Sequence, residues 1–336
     1  MSLFLSKGTI ELKSAPSIKS YAATVGKKEG DGPLADYFDH IAEDVTMGEK
    51  SWEKSESLLQ QSALRIALEK GNLSERDISF IFAGDLLNQC TSSSYGLRDY
   101  NFPYIGIYGA CSNMAESLAL AGIFIDNGIG DNAAAITSSH FCSAERQYRF
   151  PLNYGAVRSP TSQWTVTGAG CAIVSSHWQP PYIKFITFGS ITDMGIKDAN
   201  NMGAAMAGAA YETISAHLAN TNKNINNFDL IITGDLGKIG SDLLYDLFKR
   251  NKVDIKHKHK DCGTMIFDTE NQKVNAGGSG CGCSASVLCG YILRELAHSR
   301  IKNVLFVATG ALLSPTMTQQ GESIPGIAHA LHLSAQ

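Results

Sequence analysis

Two stretches decide the fold: Ile78-Ser79-Phe80-Ile81-Phe82-Ala83-Gly84-Asp85-Leu86 and Asp229-Leu230-Ile231-Ile232-Thr233-Gly234-Asp235-Leu236. Each is a short apolar run that stops at Gly-Asp-Leu, the pattern of a buried strand ending in a turn. An amphipathic helix is expected before each, from about Lys50 to Lys70 and from about Ala204 to Ala219, with a Ser74/Asp77 capping pattern in the first copy. Downstream the echo continues. Cys111-Ser112 opens a helix reaching about Asn127, followed by a strand over Ala133 to Thr137; Cys283-Ser284 opens a helix to about His298, followed by Val304 to Thr309.

Helices alternating with short, nearly all-apolar strands predict mostly parallel sheets covered on both faces, and two copies predict a layered α/β/α/β/α body. The expected halves are residues 1–178, carrying Cys111, and 179–336, carrying the Gly-rich turn. The second half is longer between its Gly-Asp-Leu turn and its cysteine, which places an insertion at Asn251 to Gly280. Gly326 to Ser334 alternates weakly and reads as a closing strand. In such folds the loops after strand ends carry the site. Four segments qualify: Asp85 to Gln89, the Cys111 turn, Ser138 to Arg149, and Gly277 to Cys283.

Composition narrows the function classes. The 336 residues, 44% hydrophobic and 18% charged, suffice for a large core. A formal net charge of −4 and a pI near 6.1 give no global attraction to nucleic acid or acidic lipid. Only Lys252 to Lys260, with His257 and His259, is locally basic; it reads as a solvated loop, the alternative being contact with a partner or an anionic membrane surface. No signal-like segment opens the chain and no apolar window is long enough to cross a bilayer. The eight cysteines lie mostly in apolar or Gly-rich segments and read as reduced thiols, with Cys281-Gly282-Cys283 as core or pocket wall rather than a metal site. Gly277 to Gly282 follows polar residues and lacks a Lys-Ser/Thr pair, which argues against a nucleotide site.

Gly109-Ala110-Cys111-Ser112-Asn113-Met114 places a thiol at the mouth of an apolar helix. The helix dipole there favours a thiolate, so Cys111 is placed either to attack a carbonyl or to hold an anion.

A duplicated unit with this cysteine in one half and a Gly-rich turn in the other resembles the thiolase and ketoacyl-synthase superfamily. More specifically, Ala83 to Gln89, Gly109 to Ser112, Thr137 to His140, Ala144 to Gln147, Asp261 to Gly263, Ala276 to Cys281 and Ala308 to Pro315 look like the stage V sporulation protein AD family. The resemblance spans nearly the whole chain. It implies a thiolase-like five-layer fold and a spore-former's protein that binds dipicolinic acid, or its calcium chelate, for uptake into the developing spore. It further implies peripheral association with the spore inner membrane alongside other stage V A proteins, and superfamily likeness implies a homodimer.

Condensing enzymes of the superfamily surround the cysteine with His and Asn or a second His. The matching places, Gly234 to Gly237 and near Cys281, offer neither, and the C-terminal Cys-x-Gly turn of thiolases is here Ala308-Thr309-Gly310. Cys111 is therefore expected to be a vestigial nucleophile in a noncatalytic binding protein. The rivals are an acyl-transferring enzyme using Cys111 and a scaffold subunit with a vestigial pocket.

The expected ligand site comprises the Cys111 helix start, Asn88, Ser138, Ser139, His140, Cys281, and Arg146 or Arg149 as counter-charge, with Lys238 a weaker candidate. Asp85 is either a ligand for chelated calcium or a helix cap, its duplicate Asp235 favouring the cap. His140 either donates to a carboxylate or the thiolate, or is structural. On this reading His140→Ala with Arg146→Ala lowers dipicolinate affinity about tenfold or more.

Overall fold

The computed structural model describes residues 2–148, 158–177 and 179–336. Ten strands form its frame. The first five are β1 (Ser17–Val25), β2 (Phe80–Gly84), β3 (Tyr104–Ile107), β4 (Asn132–Ser139) and β5 (Gly168–Ser175). The second five are β6 (Tyr182–Phe188), β7 (Leu230–Thr233), β8 (His259–Asp261), β9 (Asn303–Ala311) and β10 (Gly326–Ser334). The first set is ordered β1-β5-β4-β2-β3 and the second β6-β10-β9-β7-β8. In both, the first two pairings are antiparallel and the last two parallel. The halves thus repeat strand for strand; β1 meets β6 at Ser17 with Tyr182, and the short strand Thr9–Glu11 pairs antiparallel with β6 at Phe185 to Thr187.

The mostly parallel sheet expected from the sequence is corrected to a mixed one. What the periodicity missed was β1, β5 and β6. Strand β5, Gly-Ala-Gly-Cys-Ala-Ile-Val-Ser, is made of small residues because a helix lies directly on it: a Cβ at Gly170 would stand 2.4 Å from the Ala285 carbonyl oxygen. Strand β10 forms over the expected residues, and it lies between β6 and β9, buried along its whole length.

Helices fill the layers, and a short one, α3 (Phe141–Tyr148), follows β4. α1 (Trp52–Gly71) covers the outer face of the first sheet, and α4 (Met202–Asn220) with α5 (Gly237–Arg250) covers that of the second. Between the sheets lie α2 (Asn113–Asp126) and α6 (Cys281–Val287), the latter continuing through a π turn at Leu288–Ile292 into Leu293–Ala297. Fully buried Met114, Leu118, Phe82, Phe306 and Leu331 belong to this central core. Each such side chain contributes about 2 kcal/mol by leaving water.

The duplication reaches the turns. Ser74 and Asp77 form a capping box ahead of β2, and Asn224 and Asn227 form one ahead of β7. The run Asn251 to Gly280 is not simply an insertion, since it supplies β8, the counterpart of β3. Nor is Lys252 to Lys260 solvated throughout: His259 is buried and hydrogen-bonded by both ring nitrogens, to Thr233 at 2.8 Å and Tyr245 at 2.9 Å.

Candidate functional site

The C-terminal ends of β2, β4, β7 and β9 converge on the start of α2. A one-turn 3-10 segment, Ala110–Ser112, leads into that helix, with Ala110 at φ +52°. Asn113 fastens the turn to β2: its Oδ1 accepts the Gly109 N–H at 2.6 Å and its Nδ2 donates to the Asp85 carbonyl at 3.0 Å. The backbone of β9 presses against the same turn. A Cβ at Gly310 would lie 2.8 Å from the Gly109 carbonyl oxygen, which requires glycine there.

Above Cys111 opens a cavity of about 390 Å³. Its walls are mainly apolar, with Leu86, Ala144, Met202 and the Ala311–Pro315 segment, and its polar groups include Asn88, Tyr108, Tyr148, Glu145 and Ser279. Tyr108 donates to Asn88 Oδ1 at 3.0 Å, and the Tyr148 hydroxyl donates to the Leu86 carbonyl. Glu145 Oε2 stands 3.5 Å from Arg158. Among the described lining residues there is no lysine, arginine or histidine.

The thiol itself faces a carboxylate. Cys111 lies beside Asp235, which takes Thr309 Oγ1 at 2.7 Å, Ser279 Oγ at 3.1 Å and the Gly280 N–H at 3.0 Å. Burial, and then the Asp235 charge, push the Cys111 thiol well up. Burial likewise raises Asp235. The thiolate expected from the helix dipole is therefore corrected to a protonated thiol: desolvation and a neighbouring anion outweigh a terminal dipole worth about 1 kcal/mol.

The two Gly-Asp-Leu turns share sequence but not role. Asp85 caps its own half, accepting from Leu87 N and Ser93 N at 2.8 Å each and from Ser93 Oγ at 2.7 Å. In the second half Asp261, delivered by β8, takes that duty, accepting from Leu236 N and Gly237 N at 2.9 Å each. Asp235 is thereby released toward Cys111. The sequence reading treated it only as a second cap; its place opposite a cysteine-opened helix in a duplicated fold was the available signal.

The structure brings Asn88 and Cys111 to the cavity wall, while Cys281 is buried behind it, packing in one cluster with Cys111 and donating to the Ser138 carbonyl at 2.9 Å. Asp85 is turned away from it. Ser138 and Ser139 are buried in the frame instead, Ser138 Oγ donating to Glu56 at 3.0 Å and Ser139 Oγ to the Val166 carbonyl at 2.7 Å. His140 is structural: Nδ1 accepts the Cys142 N–H at 3.2 Å, which leaves Nε2 to donate to the Val45 carbonyl at 2.8 Å, and burial lowers its basicity. Arg146 pairs with Glu53 and lies over the Trp52 ring, away from the cavity wall. Arg149 lies outside the described residues. Lys238 follows the β7 turn, with its N–H bonded to the Ala276 carbonyl, and is no part of the wall.

The tenfold loss of affinity expected for His140→Ala with Arg146→Ala is revised accordingly. The double variant should melt several degrees lower, having lost a buried hydrogen-bonded ring, while any ligand of the Cys111 cavity should keep its affinity within about twofold. Calorimetry beside a thermal melt checks both halves of that statement.

The profile of the stage V sporulation protein AD family matches residues 6–334. Stage V sporulation protein AD of Bacillus subtilis (strain 168) is 43% identical over 314 residues, covering 94% of this chain and 93% of its own. Among solved structures, OleA of Xanthomonas campestris superposes with a TM-score of 0.61 at 12% identity, over 95% of this chain and 98% of that one. A 3-oxoacyl-[acyl-carrier-protein] synthase III from Aquifex aeolicus VF5 gives 0.57 at 14%, over 95% and 99%. At these identities the structural likeness is one of fold, the thiolase-like fold of the ketoacyl-synthase III type.

Proposed function

The chain belongs to the stage V sporulation protein AD family, and from that premise we propose that it binds dipicolinic acid without catalysis, for uptake into the developing spore. The observation carrying this reading is the contact between Cys111 and Asp235. A condensing enzyme needs a thiolate and donors for a developing oxyanion; a carboxylate beside the sulfur opposes both.

The cavity also bears on the form of the ligand. Dipicolinate alone is a dianion, and burying it without counter-charge costs several kcal/mol. With His140 and Arg146 engaged elsewhere, the 1:1 calcium chelate is the better match, since it carries no net charge. Its ring would lie against the apolar wall, and its calcium, which prefers oxygen ligands, would turn toward Glu145 and the wall hydroxyls.

Titration calorimetry with dipicolinate, with and without calcium, tests the reading, with benzoate and acetyl-coenzyme A as controls. Calcium should tighten binding about tenfold or more, roughly 1.4 kcal/mol. Absence of binding in both conditions would favour the scaffold role. A thioester adduct on Cys111 that forms and turns over with acyl-coenzyme A, seen by intact-protein mass spectrometry, would favour acyl transfer.

The same proposal includes a homodimer joined at the outer edge of β3. That edge pairs with no strand among the described residues and carries the half-exposed Tyr104, flanked by exposed Tyr95 and Tyr108. Work beside other stage V A proteins at the spore inner membrane also belongs to the proposal. No helix among the described residues is long and apolar enough to cross a membrane.

A further inference from the structure

One wall of the Cys111 cavity is a short helix, α3, and a buried carboxyl holds that helix from behind. Ala144, Glu145 and Tyr148 line the cavity. Ser143 and Arg146, three residues apart and so on one side of α3, meet Glu56 and Glu53, likewise three apart on α1. The two contacts differ in their access to water. Arg146 is exposed, whereas Ser143 and Glu56 are each 1% exposed. At its start α3 stacks Phe141 on Trp164, with ring centres 3.8 Å apart, and near its end Gln147 bonds the Leu86 carbonyl at 3.2 Å and the Asn88 N–H at 2.9 Å.

The hydrogen bonds around Glu56 are all made only with a proton on it. Ser143 Oγ lies 2.8 Å from Glu56 Oε2 and 3.0 Å from the His140 carbonyl oxygen. A hydroxyl carries one proton. With that proton on the His140 carbonyl, a protonated carboxyl donates to Ser143 and both bonds are satisfied. Glu56 Oε1 accepts from Ser138 Oγ at 3.0 Å, and Ser138 Oγ accepts from Gln60 Nε2 at 2.9 Å. The same amide donates to Ser93 Oγ at 2.8 Å, which donates to Asp85 at 2.7 Å. Glu56 and Asp85 therefore end one buried polar chain, and among the described residues no lysine or arginine pairs with either. Burial, and then the Asp85 charge, raise Glu56 well above the usual 4.5.

The other groups that face this chain add no cation. The Cys281 thiol from α6 is held neutral by its own burial. His140, at the end of β4, has both ring nitrogens bonded and its basicity lowered by burial. Glu53 on α1 is taken by Arg146, and the helix Thr91–Leu97 brings only Ser92 and Ser93 to the chain.

We propose that α3 is a pH-gated wall of the Cys111 cavity, docked on α1 while the Glu56 carboxyl keeps its proton and released when that carboxyl ionises in the same dry chamber as Asp85. Ionisation removes the donor that Ser143 receives and puts a second negative charge on a chain without a counter-cation. Release of α3 admits water to Glu56 without opening the sheet. The docked helix binds a proton that the released helix gives up, so docking is complete at low pH and is lost as pH rises through the raised value. The proposal is independent of the dipicolinate reading, because the gate needs no ligand.

Hydrogen exchange of the full chain, read on peptides covering α3 and corrected for the intrinsic rate at each pH, tests it between about pH 6 and about pH 9. Protection of the α3 amides is expected to fall about tenfold or more across that range in the parent, while protection of α2 holds. Glu56→Gln, whose amide donates to Ser143 as the protonated acid does, should keep α3 protected throughout. Ser143→Ala serves if that variant gives no cooperative melt: its α3 should be poorly protected already at the lower pH and change little as pH rises. Unchanged α3 protection in the parent, the same fall in Glu56→Gln, or a fall shared equally by α2 overturns the proposal.

Discussion

Cys111→Asp is expected to abolish ligand binding in the Cys111 cavity and to destabilise the fold by about 3 kcal/mol or more. The substitution sets a second carboxylate against Asp235 in a site where Cys111 is 6% exposed and Asp235 fully buried. Two carboxylates in contact cannot both ionise there, so one must hold a proton or the turn must open. Cys111→Ala makes the useful contrast. It removes the thiol beside Asp235, whose bonds from Thr309, Ser279 and Gly280 remain, and should cost about 1 kcal/mol. Cys111→Ser keeps a donor and should lie closest to the parent. Chemical denaturation and dipicolinate calorimetry on the three variants give the order; an Asp variant as stable and as competent as the Ala variant would mean that Asp235 does not face the thiol.

A pH-dependent gain in stability is expected for Glu29→Gln. Glu29 is fully buried, with Oε1 accepting the Thr167 N–H at 3.0 Å and Oε2 unpartnered, and burial raises it from 4.5 to about 7. A raised carboxyl keeps its proton in the folded chain while the unfolded chain releases it. Its contribution is fully present below the unfolded value of 4.5 and is lost as pH rises to the folded value near 7. The loss is of order 3 kcal/mol at 1.36 kcal/mol per unit. Glutamine does not titrate, so the variant should gain about that much on the parent between pH 5 and pH 8. The comparison is needed because buried histidines pull the other way. His217 and His332, both lowered to about 3 by burial, add stability as pH rises toward 6.5. A gap between parent and variant that is the same at both pH values would show Glu29 ionised in the folded state.

Both predictions concern groups that local sequence describes poorly. Nothing around Glu29 marks it as buried: Lys-Lys-Glu-Gly reads as surface, and its burial comes with tertiary contacts such as Thr167, just ahead of β5. His140 shows the converse. Its position after β4 was legible, but a strand end has two sides, and whether the ring faced the cavity or the loop at Val45 depended on a contact 95 residues away in the chain. Arg146 was drawn off in the same way by Glu53 on α1.

The sequence by itself determined the repeat. Apolar runs closed by Gly-Asp-Leu, a capping pattern ahead of the first and two cysteine-opened helices are local signals, and burial on both faces forces such runs into a covered sheet. From them followed two matched halves, a layered body and a cysteine at a helix start. The antiparallel strands stayed hidden because their small residues answer to a helix lying on them, a contact that leaves no period. Tertiary structure alone decided what the two aspartates do. Asp85 and Asp235 stand in the same local motif, yet β8 brings Asp261 to the second turn and to no counterpart in the first. With its N–H partners taken, Asp235 turns inward to Cys111. A buried backbone donor must be satisfied by some acceptor, but which acceptor is free to leave for the site is fixed by neighbours distant in sequence.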